Sequence, residues 1–178
     1  MITYEYYHFF VFVSSFSASK KLTDRLFRTI ITQKGGVSVD LKIAKKLLQE
    51  GSYTCVLCKD GNTATSTFRG VKPLLNWLET PALDQGFCAA DKVVGRATAF
   101  LYCLLGAKAV YAGIMSEAAL AVLEEAGIAA TYGQLVPYIV NRTGDGMCPM
   151  EAATLDVKTP EEALAAVKKA LAELDKKV

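Results

Sequence analysis

The pattern of apolar and polar positions predicts that short helices and strands alternate along most of this chain. The first helix begins after Asp40, the predicted N-cap, and ends at Gly51. Its apolar positions share one face, namely Leu41, Ala44, Leu47 and Leu48. Two strands follow at about 53–59 and 64–68, and the Asp60-Gly61-Asn62 sequence between them is typical of a β-hairpin turn. A short helix is predicted at 73–79.

Beyond residue 85 each predicted strand is short and leads into a helix. An apolar strand at 86–90 runs into Asp91, which is the predicted N-cap of an almost wholly apolar helix at 92–106. A helix capped by Ser116 runs to residue 126, and the last helix begins with a capping box at 159–162. The remaining strands are predicted at 109–112, 128–131 and 135–140.

This order of elements predicts the fold class. A hairpin followed by strand-helix-strand crossovers is typical of an α/β protein with a mixed sheet whose later strands are parallel. We therefore expect a three-layer α/β/α sandwich, formed by residues 37–178 as a single domain. Residues 1–36 differ in composition and are predicted to be an atypical N-terminal extension, either poorly ordered or not part of the native product.

The composition excludes several partners. The formal net charge is +2, and residues 1–36 hold five bases against two acids, so residues 37–178 are close to neutral. A near-neutral domain gains little affinity from phosphate contacts, so we expect no nucleic-acid partner. The aromatic stretch at 7–16 is too short to cross a bilayer, which needs about 20 residues. We expect a cytoplasmic protein without a membrane partner; a weak signal peptide or a membrane-surface segment at 7–16 is the alternative.

Histidine and cysteine usage limits the chemistry that this chain can perform. His8 is the only histidine and lies in the N-terminal extension, so a Ser-His-Asp triad, a Cys-His pair and an imidazole-based zinc site are all unexpected in the domain. The five cysteines form an odd number with no secretory context, which indicates free thiols. Cys55 and Cys58 form a CxxC on a predicted strand, where residues three apart point to opposite faces. We therefore interpret both as structural.

Four segments together resemble a known family. They are 66–73 (STFRGVKP), 90–96 (ADKVVGR), 135–142 (LVPYIVNR) and 146–151 (GMCPME). From about Asp40 onwards the chain resembles an uncharacterised prokaryotic family, domain of unknown function 1893, which is placed by fold in the cytidine-deaminase-like superfamily. The resemblance implies a cytidine-deaminase-like sandwich.

The zinc ligands of that superfamily are missing from this sequence. Zinc deaminases take a ligand and a catalytic Glu from H-x-E at one helix start, and two thiolates from P-C-x-x-C at the next. Here Ala90-Asp91-Lys92 and the segment 115–119 (MSEAA) occupy the predicted helix starts. Because neither supplies those ligands, we expect no zinc and no other cofactor, and zinc-dependent deamination is not expected.

Polar residues at the predicted carboxyl edge of the sheet form the candidate site. Ligands of open α/β sheets bind beyond the carboxyl ends of the strands, close to helix N-termini. The candidate ligand-binding residues are Asp91, Lys92, Asn141, Arg142 and Arg69, and the candidate catalytic residues are Lys92 and Cys148.

Three functions are compatible with these residues. The first is binding of a nucleotide-like or other small anionic ligand in the ancestral crevice, beyond the carboxyl ends of the strands. The second is a non-zinc enzyme that uses Lys92 or Cys148. The third is an inactive scaffold or regulatory domain. A scaffold would expose an apolar face without converging polar groups. Self-association as a homo-oligomer is also expected to be possible.

Overall fold

A five-stranded mixed sheet forms the centre of the computed structural model, which describes residues 38–176. Its strands are β1 (Cys55–Lys59), β2 (Asn62–Ser66), β3 (Cys88–Val94), β4 (Ala109–Ser116) and β5 (Ala129–Val136). They lie in the order β2-β1-β3-β4-β5. Strand β1 is antiparallel to both neighbours, whereas β3, β4 and β5 are parallel. The predicted hairpin and parallel strands are confirmed; the predicted extension at 1–36 lies outside the described residues.

Helices cover the two faces of the sheet unequally. The described helices are α1 (Val39–Glu50), α2 (Lys72–Glu79), α3 (Arg96–Leu105), α4 (Glu117–Glu125), α5 (Pro149–Ala153) and α6 (Pro160–Asp175). Of the helices in residues 38–176, only α1 packs on one face, where Leu41, Ala44 and Leu48 contact alternate residues of β1, β3 and β4. The larger core on the other face is built from α2, α3, α4 and α6. The chain is therefore a mixed α/β domain, as predicted.

Strand β3 is longer than its sequence pattern predicts, and this moves the start of α3. The prediction that Asp91 caps a helix at 92–106 is wrong, because residues 91–94 pair with β4 and the helix begins at Arg96 after Gly95. The β-branched side chains of Val93 and Val94 favour the strand, and pairing with Ile114 and Met115 overrides the local capping signal.

A single strand, β5, replaces the two strands predicted at 128–131 and 135–140, so that prediction is wrong. Gly133 lies between the two predicted segments. In the structure Gly133 lies inside the strand, where a Cβ would come within 2.8 Å of the carbonyl oxygen of Gly113. The glycine is therefore required by the close approach of β4 and β5 and does not mark a turn.

Of the three other predicted helix N-caps, two are confirmed and one is wrong. The Ser116 hydroxyl accepts from the Ala119 N–H at 3.1 Å, and the capping box between Thr159 and Glu162 is present, so both are confirmed. Asp40 is not an N-cap, because α1 begins at Val39, two residues earlier than predicted, and Ser38 occupies the N-cap position. Among residues 38–176, no helix is long and apolar enough to span a bilayer.

Candidate functional site

The start of α3 lies at the carboxyl edge of the sheet and is capped by a residue distant in sequence. Glu151, in α5, places its Oε2 atom 2.7 Å from the backbone N–H of Arg96, which donates to it. A Cβ at position 95 would overlap this carboxylate, so glycine is needed there for Glu151 to reach the helix. A carboxylate at this point is favourable because the first N–H groups of a helix lack partners within the helix and carry partial positive charge.

The second oxygen of Glu151 has an unusual environment. The residue is only 2% exposed, and its Oε1 atom is buried without any hydrogen-bond partner among the described residues. Buried polar atoms are nearly always hydrogen-bonded, because desolvation without a partner is costly. Oε1 is therefore an acceptor available to a donor that residues 38–176 do not supply.

Arg96 holds α5 in place through its side chain. Its Nε donates to the carbonyl oxygen of Thr154 and its Nη2 to that of Val157, each at 2.7 Å. The guanidinium also lies 5.1 Å from the centre of the Phe100 ring. Two charge-assisted bonds to backbone carbonyls fix the segment after α5 against α3, and so fix the position of Glu151.

The loop formed by residues 137–148 reaches the same helix start. Its Ile139 side chain packs against Gly95, and the Ile139 carbonyl accepts from the N–H of Cys148 at 2.8 Å. Cys148 is half-buried and lies three residues before Glu151, one helical turn away. The predicted residues Asn141, Arg142 and Cys148 thus belong to the segment that joins β5 to Glu151.

Within this loop, the Asn141 side chain makes hydrogen bonds that stabilise the conformation of the loop. Its side-chain oxygen accepts from the N–H groups of Gly144 at 2.8 Å and Asp145 at 3.2 Å, and its amide donates to the Asp145 carboxylate at 2.8 Å. Hydrogen bonds from Thr143 and then Asn141 lower the pKa of Asp145. Arg142 is exposed. Asn141 therefore has a structural role, and Arg142 is the loop's accessible cation.

Asp91 lies in a buried polar cluster on the α3 face of the sheet. Its Oδ2 accepts from the Tyr102 hydroxyl at 3.0 Å, and that hydroxyl is 3.1 Å from the Cys55 thiol. Burial raises the pKa of Asp91 to about 6 and raises the pKa values of Cys55 and Tyr102 well above their usual range. A thiol of raised pKa is a poor nucleophile, so this cluster is suited to holding a proton and not to attacking a substrate.

The remaining predicted residues are exposed. Lys92 is the next residue of β3, and its side chain is exposed whereas that of Asp91 is buried. Arg69 is exposed in the loop after β2, an outer strand. Strands β2 and β5 are four inter-strand spacings apart, about 19 Å. The structure therefore groups the 137–148 loop with Glu151 at Gly95, while Asp91 is bonded to Tyr102 and the side chains of Lys92 and Arg69 are exposed.

The other thiols, carboxylates and depressions of the described residues do not form a comparable site. Cys55 and Cys58 belong to the cores on opposite faces of the sheet, as predicted for a structural CxxC. Within residues 38–176 no group of three or more His, Cys, Asp or Glu side chains is arranged to hold a metal. An open depression of about 320 Å³ lies at the amino edge of the parallel strands, between the hairpin and residues 81–84, and contains none of the candidate residues.

Glu151 and its two supporting residues, Gly95 and Arg96, are absent from the set of residues predicted from the sequence. All three stand in segments that carry the family resemblance, but nothing local marks a carboxylate in a short helix as the cap of another helix 55 residues earlier. The one available signal was that α3 has no capping side chain of its own, since Gly95 precedes it.

Comparison with known proteins places this geometry in a family. A family model described as a domain of unknown function (DUF1893, TM1506) matches residues 43–171. The crystal structure of a DUF1893 family protein from Thermotoga maritima is similar, with a TM-score of 0.67 and 24% sequence identity, covering 77% of this chain and 92% of that one. A search of curated proteins gives no match. Because the family model spans well over half of its residues, the chain belongs to the DUF1893 family.

Proposed function

We propose that this domain has a cytidine-deaminase-like fold and binds a small polar molecule through Glu151 at the start of α3. The order of a hairpin followed by parallel strands, with helices starting after β3 and β4, supports the fold. The observation that carries the binding function is the buried Oε1 of Glu151, which has no hydrogen-bond partner in the described part of the chain. An N–H group of a ligand would supply the missing hydrogen bond.

The charge at this position favours one class of ligand. The N-terminus of α3 would by itself attract an anion, but the Glu151 carboxylate already occupies it. A phosphate or a second carboxylate placed there would be repelled by Glu151. We therefore replace the expected anionic ligand with one that presents an amino or amide group, such as a nucleobase, while Arg142 remains available for an acidic substituent.

Access to Glu151 requires movement of the 137–148 loop. Ile139 packs against Gly95 beside the carboxylate, and Cys148 is joined to Ile139 by a single backbone hydrogen bond. The loop side chains from Arg142 to Asp145 are exposed, so displacing them uncovers little core. Loops of this kind commonly close over ligands.

The other two functions have weaker support. An enzyme that uses Lys92 and Cys148 together has no support in the described contacts, because the Lys92 side chain is exposed while Cys148 packs against the core of the α3 face. A zinc mechanism lacks its ligands, since Gly95-Arg96-Ala97 and Ser116-Glu117 begin the two helices. A scaffold role is supported by exposed apolar residues at β4 and β5, and it is compatible with ligand binding.

Matched nucleosides test the proposed ligand class. Cytidine and adenosine carry an exocyclic amino donor, whereas uridine and inosine carry a carbonyl acceptor at the same place. We expect the first pair to raise the melting temperature and the second pair to leave it unchanged. In Glu151→Gln the free oxygen becomes an amide N–H, so affinity for the amino nucleosides should fall about 10- to 100-fold, the worth of one hydrogen bond to a charged group.

Glu117→Gln is the matched control, because Glu117 is an exposed glutamate at the start of the neighbouring helix α4. It should bind like the parent chain. Equal responses to all four nucleosides, or equal losses in the two variants, would contradict the assignment of Glu151. No response to any of them would mean that Oε1 accepts only from a buried water molecule.

A further inference from the structure

The 137–148 loop forms a small hairpin of its own. The Cys148 N–H donates to the Ile139 carbonyl at 2.8 Å. The Asn141 N–H donates to the Gly146 carbonyl at the same distance, and an antiparallel β-bridge lies between these two bonds. Among residues 38–176, none of the hydrogen bonds made by residues 138–147 has a partner outside the loop. The loop therefore keeps its shape through its own bonds.

A proline stands at each end of this loop. Pro137 follows the last residue of β5, and Pro149 is the first residue of α5. Because proline has no N–H to donate, neither position can bind a neighbouring segment through a backbone donor. Hinges are usually a few residues at the ends of rigid elements. The loop is thus a preformed body, and its two connections to the domain lie where such hinges are found.

The Ile139 side chain seats this hairpin on the start of α3. Its Cγ1 atom lies 3.0 Å from the position that a Cβ of residue 95 would occupy, and the Glu151 carboxylate lies against the same position. The neighbouring side chains of Tyr138 and Val140 are 43% and 50% exposed, whereas Ile139 is half-buried. A single apolar side chain therefore holds the hairpin beside the proposed binding residue.

Cys148 lies where it can report the position of the loop. Its thiol is half-buried and packs against the core of the α3 face, while its backbone is bonded to Ile139. If the loop swings outwards as one body, this thiol is withdrawn from the core together with the Ile139 side chain. Such an opening breaks none of the bonds within the loop and exposes little apolar surface, so it needs much less free energy than global unfolding.

We propose that the 137–148 loop is a lid that opens and closes as one body, with Ile139 as the latch that closes it over Glu151. The purpose of the lid, to admit a ligand to Oε1, rests on the proposed function; its motion does not. In the closed state the Ile139 side chain lies beside the carboxylate that the ligand would contact. The chain therefore limits access to its own binding residue until the latch is released.

Thiol labelling of the full chain, without any ligand, tests the latch. In Ile139→Ala the labelling rate of Cys148 at pH 8, measured by peptide mass spectrometry, should rise about tenfold. The reason is that burial of a half-exposed isoleucine shifts an opening equilibrium by about one power of ten. Val140→Ala is the matched control, because it truncates the adjacent, exposed side chain; it should label like the parent chain. Equal labelling rates in the two variants would overturn the proposal.

Amide hydrogen exchange tests whether the lid moves as one body. The Asn141 and Gly144 amides donate within the loop, so they should exchange no faster in Ile139→Ala than in the parent chain. Exchange that rises in step with the labelling of Cys148 would mean that the loop unravels, which contradicts the proposal.

Asn141→Ala is the complementary variant, because it removes side-chain bonds at the tip of the loop and leaves the latch in place. The Gly144 and Asp145 amides should exchange faster, while the labelling rate of Cys148 stays the same. A tenfold rise in that labelling rate would show that the tip, and not Ile139, holds the lid closed. Since none of these measurements uses a ligand, failure of the nucleosides to bind would reject the proposed function without changing the result for the lid.

Discussion

The amino and carboxyl edges of the parallel sheet each contain a carboxylate that accepts hydrogen bonds from backbone N–H groups. At the amino edge, Asp40 accepts from Asp60 and Gly61 at 3.1 Å each, and lies 3.5 Å from the Cys58 thiol. At the carboxyl edge, Glu151 accepts from Arg96 through one oxygen only. Both carboxylate oxygens are therefore hydrogen-bonded at the amino edge, whereas only one is hydrogen-bonded at the carboxyl edge.

This difference separates a structural carboxylate from a candidate binding residue. The backbone bonds from Gly61 and Asp60 lower the pKa of Asp40, and Lys108 lies 3.9 Å away, so both oxygens of Asp40 are used in fixing the hairpin to α1. Glu151 fixes α3 with Oε2 and leaves Oε1 unused. Candidate sites are therefore better sought among buried polar atoms without partners than among charged residues in general.

The largest loss of stability is expected from Gly95→Ala at the carboxyl edge. The new methyl group overlaps the Glu151 carboxylate, so overpacking and the loss of the Arg96 hydrogen bond should together cost about 4 kcal/mol of unfolding free energy. Gly127→Ala is the control, because position 127 has open space and only its positive φ of 73° resists a side chain. It should cost about 1 kcal/mol. Similar losses in urea unfolding would show that Glu151 moves aside freely.

A third carboxylate, Asp91, is buried between the two edges and should make stability depend on pH. Its pKa in the folded chain is about 6, above the ordinary 3.8, because burial disfavours the charged form. The folded chain therefore holds the proton more tightly, and this stabilisation is complete below about pH 4 and lost as the pH rises through 6.

The pH dependence is measured as a difference between the parent chain and Asp91→Asn. The unfolding free energy of the parent should fall relative to the variant by about 2 kcal/mol between pH 4 and pH 7. Taking the difference removes the opposite contributions of Asp40, Asp145 and Glu162, whose pKa values are lowered. A difference that stays constant across this range would mean that Asp91 keeps an ordinary pKa.

Isosteric amides compare the two edges directly. In Asp40→Asn an amide N–H must face the N–H groups of Asp60 or Gly61, so the melting temperature should fall by several degrees. In Glu151→Gln the amide can turn its N–H towards the unpartnered position while its oxygen still accepts from Arg96, so the change should be small. Equal losses in the two variants would remove the distinction between the edges.

The smallest expected effect on the protein is in the labelling rates of the thiols near Asp40 and Glu151. Burial and the adjacent Asp40 raise the pKa of Cys58 to about 11, whereas Cys148, near Glu151, is half-buried. Burial likewise raises the pKa of Cys103 to about 11. In the native chain at pH 8, a thiol reagent should therefore label Cys148 at least about tenfold faster than the other cysteines in residues 38–176. The fast phase should disappear in Cys148→Ser; its persistence would assign it to another thiol.

Local signals in the sequence were enough to predict most elements of the fold. The hairpin depends on Asp60 and Gly61, which adopt positive φ values of 51° and 79°, and the caps at Ser116 and Thr159 depend on side chains within three residues. Interactions of such short range are encoded by neighbouring residues, so they can be inferred from the sequence alone. The opposite faces of Cys55 and Cys58 follow from strand alternation in the same way.

Tertiary contacts decided the features that the sequence predicted wrongly or not at all. Asp91 has the local signature of an N-cap, but pairing of β3 with β4 keeps it in a strand and places its carboxylate beside Tyr102. The cap of α3 instead comes from Glu151, 55 residues later in the chain. A residue's partner across the fold depends on how whole elements pack, which local propensity does not contain; for that reason the sequence determined the elements and the tertiary structure determined the site.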